Sequence, residues 1–95
     1  MAFSLQCNLE ELEYRACRAG KSQSTGNPWM SLVFEDIDAQ QIECSVPQDM
    51  QGDVMSLGLR RGDVCNIAIR AVARADGSSY IQLRAVPEIL EEDED

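Results

Sequence analysis

Three bases, Arg15, Arg18 and Lys21, stand in a window from Tyr14 to Phe34 that contains no Asp or Glu, and the chain's only tryptophan, Trp29, lies in the same window. A second stretch, Val64 to Pro87, sets Arg70, Arg74 and Arg84 against a single acid, Asp76, with Tyr80 among them. Guanidinium and ammonium groups neutralise phosphate, and aromatic rings stack on bases. Bases and aromatics separated by small polar residues therefore supply what a single-stranded nucleic acid needs. The whole chain opposes this, with 17 acids against 8 bases and a formal charge of −9. Six of those acids (Glu88, Glu91, Glu92, Asp93, Glu94, Asp95) fall in the last eight residues, which leaves residues 1–87 at −3. An approaching ligand responds to the local field of a surface, so the distribution of charge outweighs the total.

Other chemistry has less to stand on. The chain has no His, no nucleophile motif and no Gly-rich phosphate fingerprint, and a non-catalytic protein without cofactor is expected. Glu10, Glu11 and Glu13 mimic paired carboxylates but read as a solvated strand edge. Glu35, Asp36 and Asp38 lack the fuller oxygen set of a dedicated calcium loop. Cys7, Cys17, Cys44 and Cys65 contain no C-x-x-C pair, so no metal site is expected and four reduced thiols are, with those on apolar strand faces serving as small hydrophobes. No apolar run approaches a membrane span, and the first residues carry no secretory pattern; a cytoplasmic location is the expectation.

Period-2 alternation, bounded by turn residues, implies the elements that position these side chains. Phe3, Leu5, Cys7 and Leu9 alternate with polar residues, whereas Leu12, Tyr14 and Ala16 alternate in the opposite parity, so a bulge is expected near Glu10–Glu11. A polar loop from Arg18 to Pro28, carrying Arg18 and Lys21, leads to a strand Trp29–Phe34 with Met30, Leu32 and Phe34 inward. Gln41–Val46 is the third strand. Met50, Val54 and Leu57 recur at helical spacing before Gly58 and imply a short helix. Val64–Arg74 and Tyr80–Val86 form a hairpin about Asp76-Gly77, with Ile81, Leu83 and Ala85 inward.

This order of strands, with one long bent first strand and a short helix between strands 3 and 4, specifies a mainly β fold: a five-stranded OB-like barrel over residues 1–88. A different small β-barrel or sandwich is the alternative. Residues 89–95 form an acidic tail expected to be disordered. In an OB barrel the ligand crosses the face of strands 2 and 3, between the loops joining strands 1–2 and 4–5. Both basic stretches supply those loops. The candidate binding residues are accordingly Arg15, Arg18, Lys21, Trp29, Arg70, Arg74, Tyr80 and Arg84, with Ser31, Gln41, Ser45 and Gln82 on the same outward parity and Glu43 an acid among them.

The stretch from Tyr14-Arg15 to Lys21, the strand Trp29–Phe34, Leu59-Arg60-Arg61-Gly62-Asp63 running into Val64–Ile69, and Ser79-Tyr80-Ile81-Gln82-Leu83 followed by Val86-Pro87 resemble small OB-fold single-stranded-DNA-binding accessory proteins of Gram-positive plasmids and conjugative elements. The resemblance implies binding of single-stranded DNA, or of RNA, in replication or transfer of a mobile element. The acidic end also resembles the tails with which bacterial single-stranded-DNA-binding proteins recruit replication proteins, but it ends Glu94-Asp95 without their terminal apolar residues. A tail of this kind would dock on a basic replication or transfer protein, or fold back on the basic face. The competing expectation is a protein–protein adaptor acting through its acidic surface.

Overall fold

A computed structural model describes residues 3–90. Five strands close a barrel: β1 (Phe3–Lys21), β2 (Pro28–Glu35), β3 (Gln41–Ser45), β4 (Val64–Ala73) and β5 (Ser79–Leu83). They neighbour one another in the order β1-β2-β3-β5-β4, and β4 returns to β1 to complete the ring. All pairings are antiparallel except β3 with β5, which run parallel and meet at Ser45 and Gln82. Between β3 and β4 a single 3₁₀ turn (Gln48–Met50) passes into helix α1 (Gln51–Ser56). This is the expected OB-like arrangement, including the place of its helix.

One strand serves two partners. The first half of β1 pairs with β4 from Phe3 to Glu13, and its second half pairs with β2 from Glu13 to Lys21. The handover needs a sharp bend, and two irregularities provide it. The first lies between Leu9 and Leu12, where the parity switch placed it. Glu11 takes a left-handed φ of 58° there, and its N–H donates to Asn66 Oδ1 at 3.0 Å. The second, between Tyr14 and Ala16, left no trace in the apolar pattern. It reverses the expected facing of the strand. Ala16 pairs with Val33 and is exposed, while Cys17 pairs with the core residue Leu32. The bend rests on the turn before β4: Tyr14 N–H donates to Asp63 O at 2.7 Å, and Gly62 N–H, at φ 101°, donates to Tyr14 O at 2.9 Å.

The barrel core takes Leu12 and Tyr14 from β1, Met30, Leu32 and Phe34 from β2, Cys44 from β3, Cys65, Ile67 and Ile69 from β4, and Leu83 from β5. Val46 and, from the helix, Val54 complete it. Tyr14 meets Phe34 edge to face at 5.8 Å. Cys44 and Cys65 are fully buried thiols, as small hydrophobes should be, whereas Cys7, despite its place in the apolar alternation of β1, and Cys17 are exposed. β5 stops at Leu83 rather than Val86, so Ala85 is exposed, not inward. A sixth short strand, β6 (Glu88–Ile89), pairs with Cys65 and Asn66, and Leu90 N–H donates to Val64 O at 2.8 Å. The barrel domain thus continues through residues 89 and 90, beyond the expected boundary at 88, because Ile89 packs against the core. The remainder of that tail, residues 91–95, lies outside the described residues.

Candidate nucleic-acid interface

Register carries one row of outward residues across all five strands. Arg18 on β1 is opposite Ser31, Ser31 is opposite Ser45, Ser45 bridges to Gln82, and Gln82 is opposite Arg70. One step along the strands on one side come Trp29, opposite Gly20, and Arg84, whose N–H donates to Ala68 O at 2.8 Å. One step to the other side lie Glu43, opposite Val33, and Tyr80, opposite Val72. Strand alternation places all these side chains outside the barrel, although Ser31 is itself buried there. Six of the eight candidates, all but Arg15 and Lys21, therefore lie on or beside one face. Arg18 reaches it from β1 itself, because the strand runs through the stretch expected to be loop and leaves only Ser22–Asn27 between β1 and β2. Lys21, opposite Pro28 at the end of β1, has instead the parity of the core residues Met30 and Leu32.

Arg15 belongs elsewhere. Its Nη1 lies 2.7 Å from Glu13 Oε1 and its Nε 3.1 Å from Glu35 Oε2. Glu35 is six residues along β2 from Trp29, about 20 Å at the rise of an extended strand. Two carboxylates oppose one guanidinium there, so Arg15 knits β1 to β2 and presents no positive field. Sequence alone could not show the second of these carboxylates, since Glu35 lies beyond the far end of the acid-free window and only the register brings it to Arg15.

Within the face, the centre is neutral and the flanks are positive. Glu43 accepts from Arg18 Nη1 at 3.3 Å and from Ser31 Oγ, so Arg18 is partly compensated. Arg70 Nη2 donates to Gln82 Oε1 at 2.8 Å, an uncharged partner, and its buried Nε has no hydrogen-bond partner. Its full charge therefore remains for an anion. The Arg74 guanidinium lies 4.6 Å from the Tyr80 ring centroid, a cation–π contact that holds both side chains at the root of the β4–β5 hairpin. The one acid of this region, Asp76, sits at the hairpin tip. There the hydroxyl and N–H of Ser78 donate to its carboxylate and hold its pKa below the usual value. Lys21, Arg74 and Arg84 are exposed and form no ion pair among the described residues.

Trp29 has a seat that strand alternation alone does not reveal. A Cβ at the cross-strand Gly20 would lie only 3.0 Å from the indole Cζ2. The absence of a side chain lets the ring lie against the β1 backbone, while 43% of the residue stays exposed. A glycine facing an aromatic is readable only once the register is known, which is why Gly20 read as loop. Asp36, placed with Glu35 and Asp38 as a weak cation cluster, instead uses its carboxylate to accept the N–H groups of Asp38 and Gln40, both at 2.9 Å. No group of three potential metal-binding side chains comes together among the described residues, and none of their helices is long and apolar enough to cross a membrane.

Compared with known proteins, the chain matches no family model, no curated sequence and no solved structure.

Proposed function

We propose that this barrel binds single-stranded nucleic acid, DNA in the first instance, as a non-catalytic module. The observation that supports the reading is the outward β5–β4 sector: Arg70 with a neutral partner, Arg74 stacked on Tyr80, and Arg84. This sector continues through Gln82, Ser45 and Ser31 to the Trp29 platform. Phosphates take the arginines, and bases stack on Trp29 and on the Tyr80–Arg74 pair. Arg15 leaves the site, and Arg18 enters it only by exchanging Glu43 for phosphate. The resemblance to plasmid and conjugative accessory proteins extends the reading to replication or transfer of a mobile element.

A fluorescein-labelled oligothymidine titrated at low and physiological salt tests the proposal. Three or four phosphate contacts give a slope of about −2 to −3 in log affinity against log salt. Arg70→Glu combined with Arg74→Glu lowers affinity at least tenfold at unchanged melting temperature. Equal binding by the double variant, or none by the parent protein at low salt, overturns the assignment.

A second reading is favoured by a different observation. Glu10, Glu11, Glu13, Glu35 and Asp36 surround a shallow depression that contains Val64 and the almost fully exposed Ile37. Acids around exposed apolar groups suit a basic protein segment, as an adaptor would require. Binding of a lysine-rich peptide that Ile37→Ser abolishes, with no binding of oligothymidine, would favour this reading over the first.

A further inference from the structure

The first six described residues of β1 form a sheet edge of an unusual kind. From Phe3 to Leu9 the strand pairs only with β4, and pairing with β2 begins at Glu13. Every second main-chain N–H and C=O between Phe3 and Asn8 therefore points away from the barrel toward no strand. An open row of this kind is a template for another strand, and proteins ordinarily blunt it with charge, proline or a bulge. None of these is present here. Phe3-Ser4-Leu5-Gln6-Cys7-Asn8 carries no charge and no proline, and the bulge comes only after Leu9.

Two other open edges carry such protection. β3 meets β5 at Ser45 alone, and its open stretch Gln41–Cys44 carries Glu43 beside Glu35 and Asp36. β6 is two residues long and includes Glu88. The open β1 edge also has sided chemistry. Leu5, 63% exposed, and Cys7 share one face with Ala71 and Ile69 of β4, whereas Ser4, Gln6 and Asn8 share the other.

We propose that this edge pairs with the same edge of a second copy of the chain, in antiparallel register about a two-fold axis, as a reversible homodimer. Charge selects the occupant. At −9 per chain two copies repel over most of their surface, and the stretch Phe3–Leu9 is free of charge in both. A two-fold axis normal to the sheet keeps Leu5 and Cys7 of both copies on one side, so a continuous apolar strip forms along with the new main-chain hydrogen bonds. Six residues a side is a small contact, and the association is accordingly concentration-dependent. The inference does not rest on nucleic-acid binding.

Sedimentation velocity over a concentration series, with amide exchange of residues 3–8 followed in parallel, tests it on the full chain. The expected result is a monomer–dimer equilibrium in which exchange at residues 3–8 slows as the dimer fills. Leu5→Lys, which sets like charges across the joint, raises the dissociation constant at least tenfold. If that variant lowers the melting temperature, the outward Gln6→Lys carries the test, since its side chain lies away from the core. A parent protein that stays monomeric throughout, or a dimer that survives both lysines with unchanged exchange at residues 3–8, overturns the proposal.

Discussion

At Trp29 a single missing methyl group decides the geometry of a candidate stacking surface. Gly20→Val would place branched carbon where the indole now lies, within 3.0 Å of Cζ2 even at the Cβ, so the ring must tilt off β1. The expected outcome is altered Trp29 emission and several-fold weaker oligothymidine binding, with Trp29→Ala losing roughly 1–3 kcal/mol. Wild-type affinity in both variants would remove Trp29 from the site. The cysteines separate by burial. Desolvation, with Glu43 adding to it at Cys44 and Asp63 at Cys65, pushes both buried thiols up to about 11 from an ordinary 9.0. A folded-state pKa raised in this way contributes stability that is complete below pH 9 and is lost as pH rises through 11. Chemical denaturation between pH 8 and 11 should show that fall, on the order of 2 kcal/mol for each thiol. Cys44→Ala together with Cys65→Ala should flatten it, and an undiminished fall would place its origin in other groups.

At the scale of elements, β1 shows what alternation reveals and what it hides. Leu9 and Leu12 are both apolar and out of phase, so the first bulge was visible as a parity break. At the second, Tyr14, Ala16 and Cys17 offer two small residues of which either reads as inward, and the true choice depends on Leu32 and Val33 across the ladder. The same limit governs the site. Which residues point outward on β4 and β5 was legible; that Arg15 lies between Glu13 and Glu35, and Arg18 against Glu43, was not, because cross-strand neighbours are distant in sequence. The first bulge is itself testable. Asn66→Ala removes the acceptor of the Glu11 N–H and should cost about 1 kcal/mol. Glu11→Gly relieves a left-handed residue and should recover about as much. Denaturant midpoints of the two single variants and the double variant check both signs.

For the whole molecule the balance between a −9 chain and a positive face is set largely by the last eight residues. Deleting Glu91–Asp95 removes five negative charges. Oligothymidine affinity should then rise at low salt, and the gain should shrink near physiological ionic strength, where the Debye length is about 8 Å. Anisotropy titrations of the truncated and full chains at matched salt measure this. Ile89 and Leu90 must be kept, since their removal would strip the short strand from β4 and confound affinity with stability. An affinity that is unchanged at every salt concentration, together with loss of pull-down of a replication or transfer protein, would assign the tail to a protein partner.

The double allegiance of β1 also orders events in time. The register of its second half with β2 spans few residues of chain, and β2–β3 is a short hairpin, so this three-stranded meander can assemble as soon as residue 45 is available. The first half of β1 finds its partner only when β4 arrives: Phe3 pairs with Ala73 and Leu9 with Ile67. Ring closure therefore waits on contacts of high sequence separation, which are costly in loop entropy and slow to form. During synthesis the uncharged start of β1 leaves the ribosome well before its β4 partner and is satisfied last. A nascent chain is thus most open to pairing with another nascent chain through the segment that, in the finished barrel, still has one side unpaired.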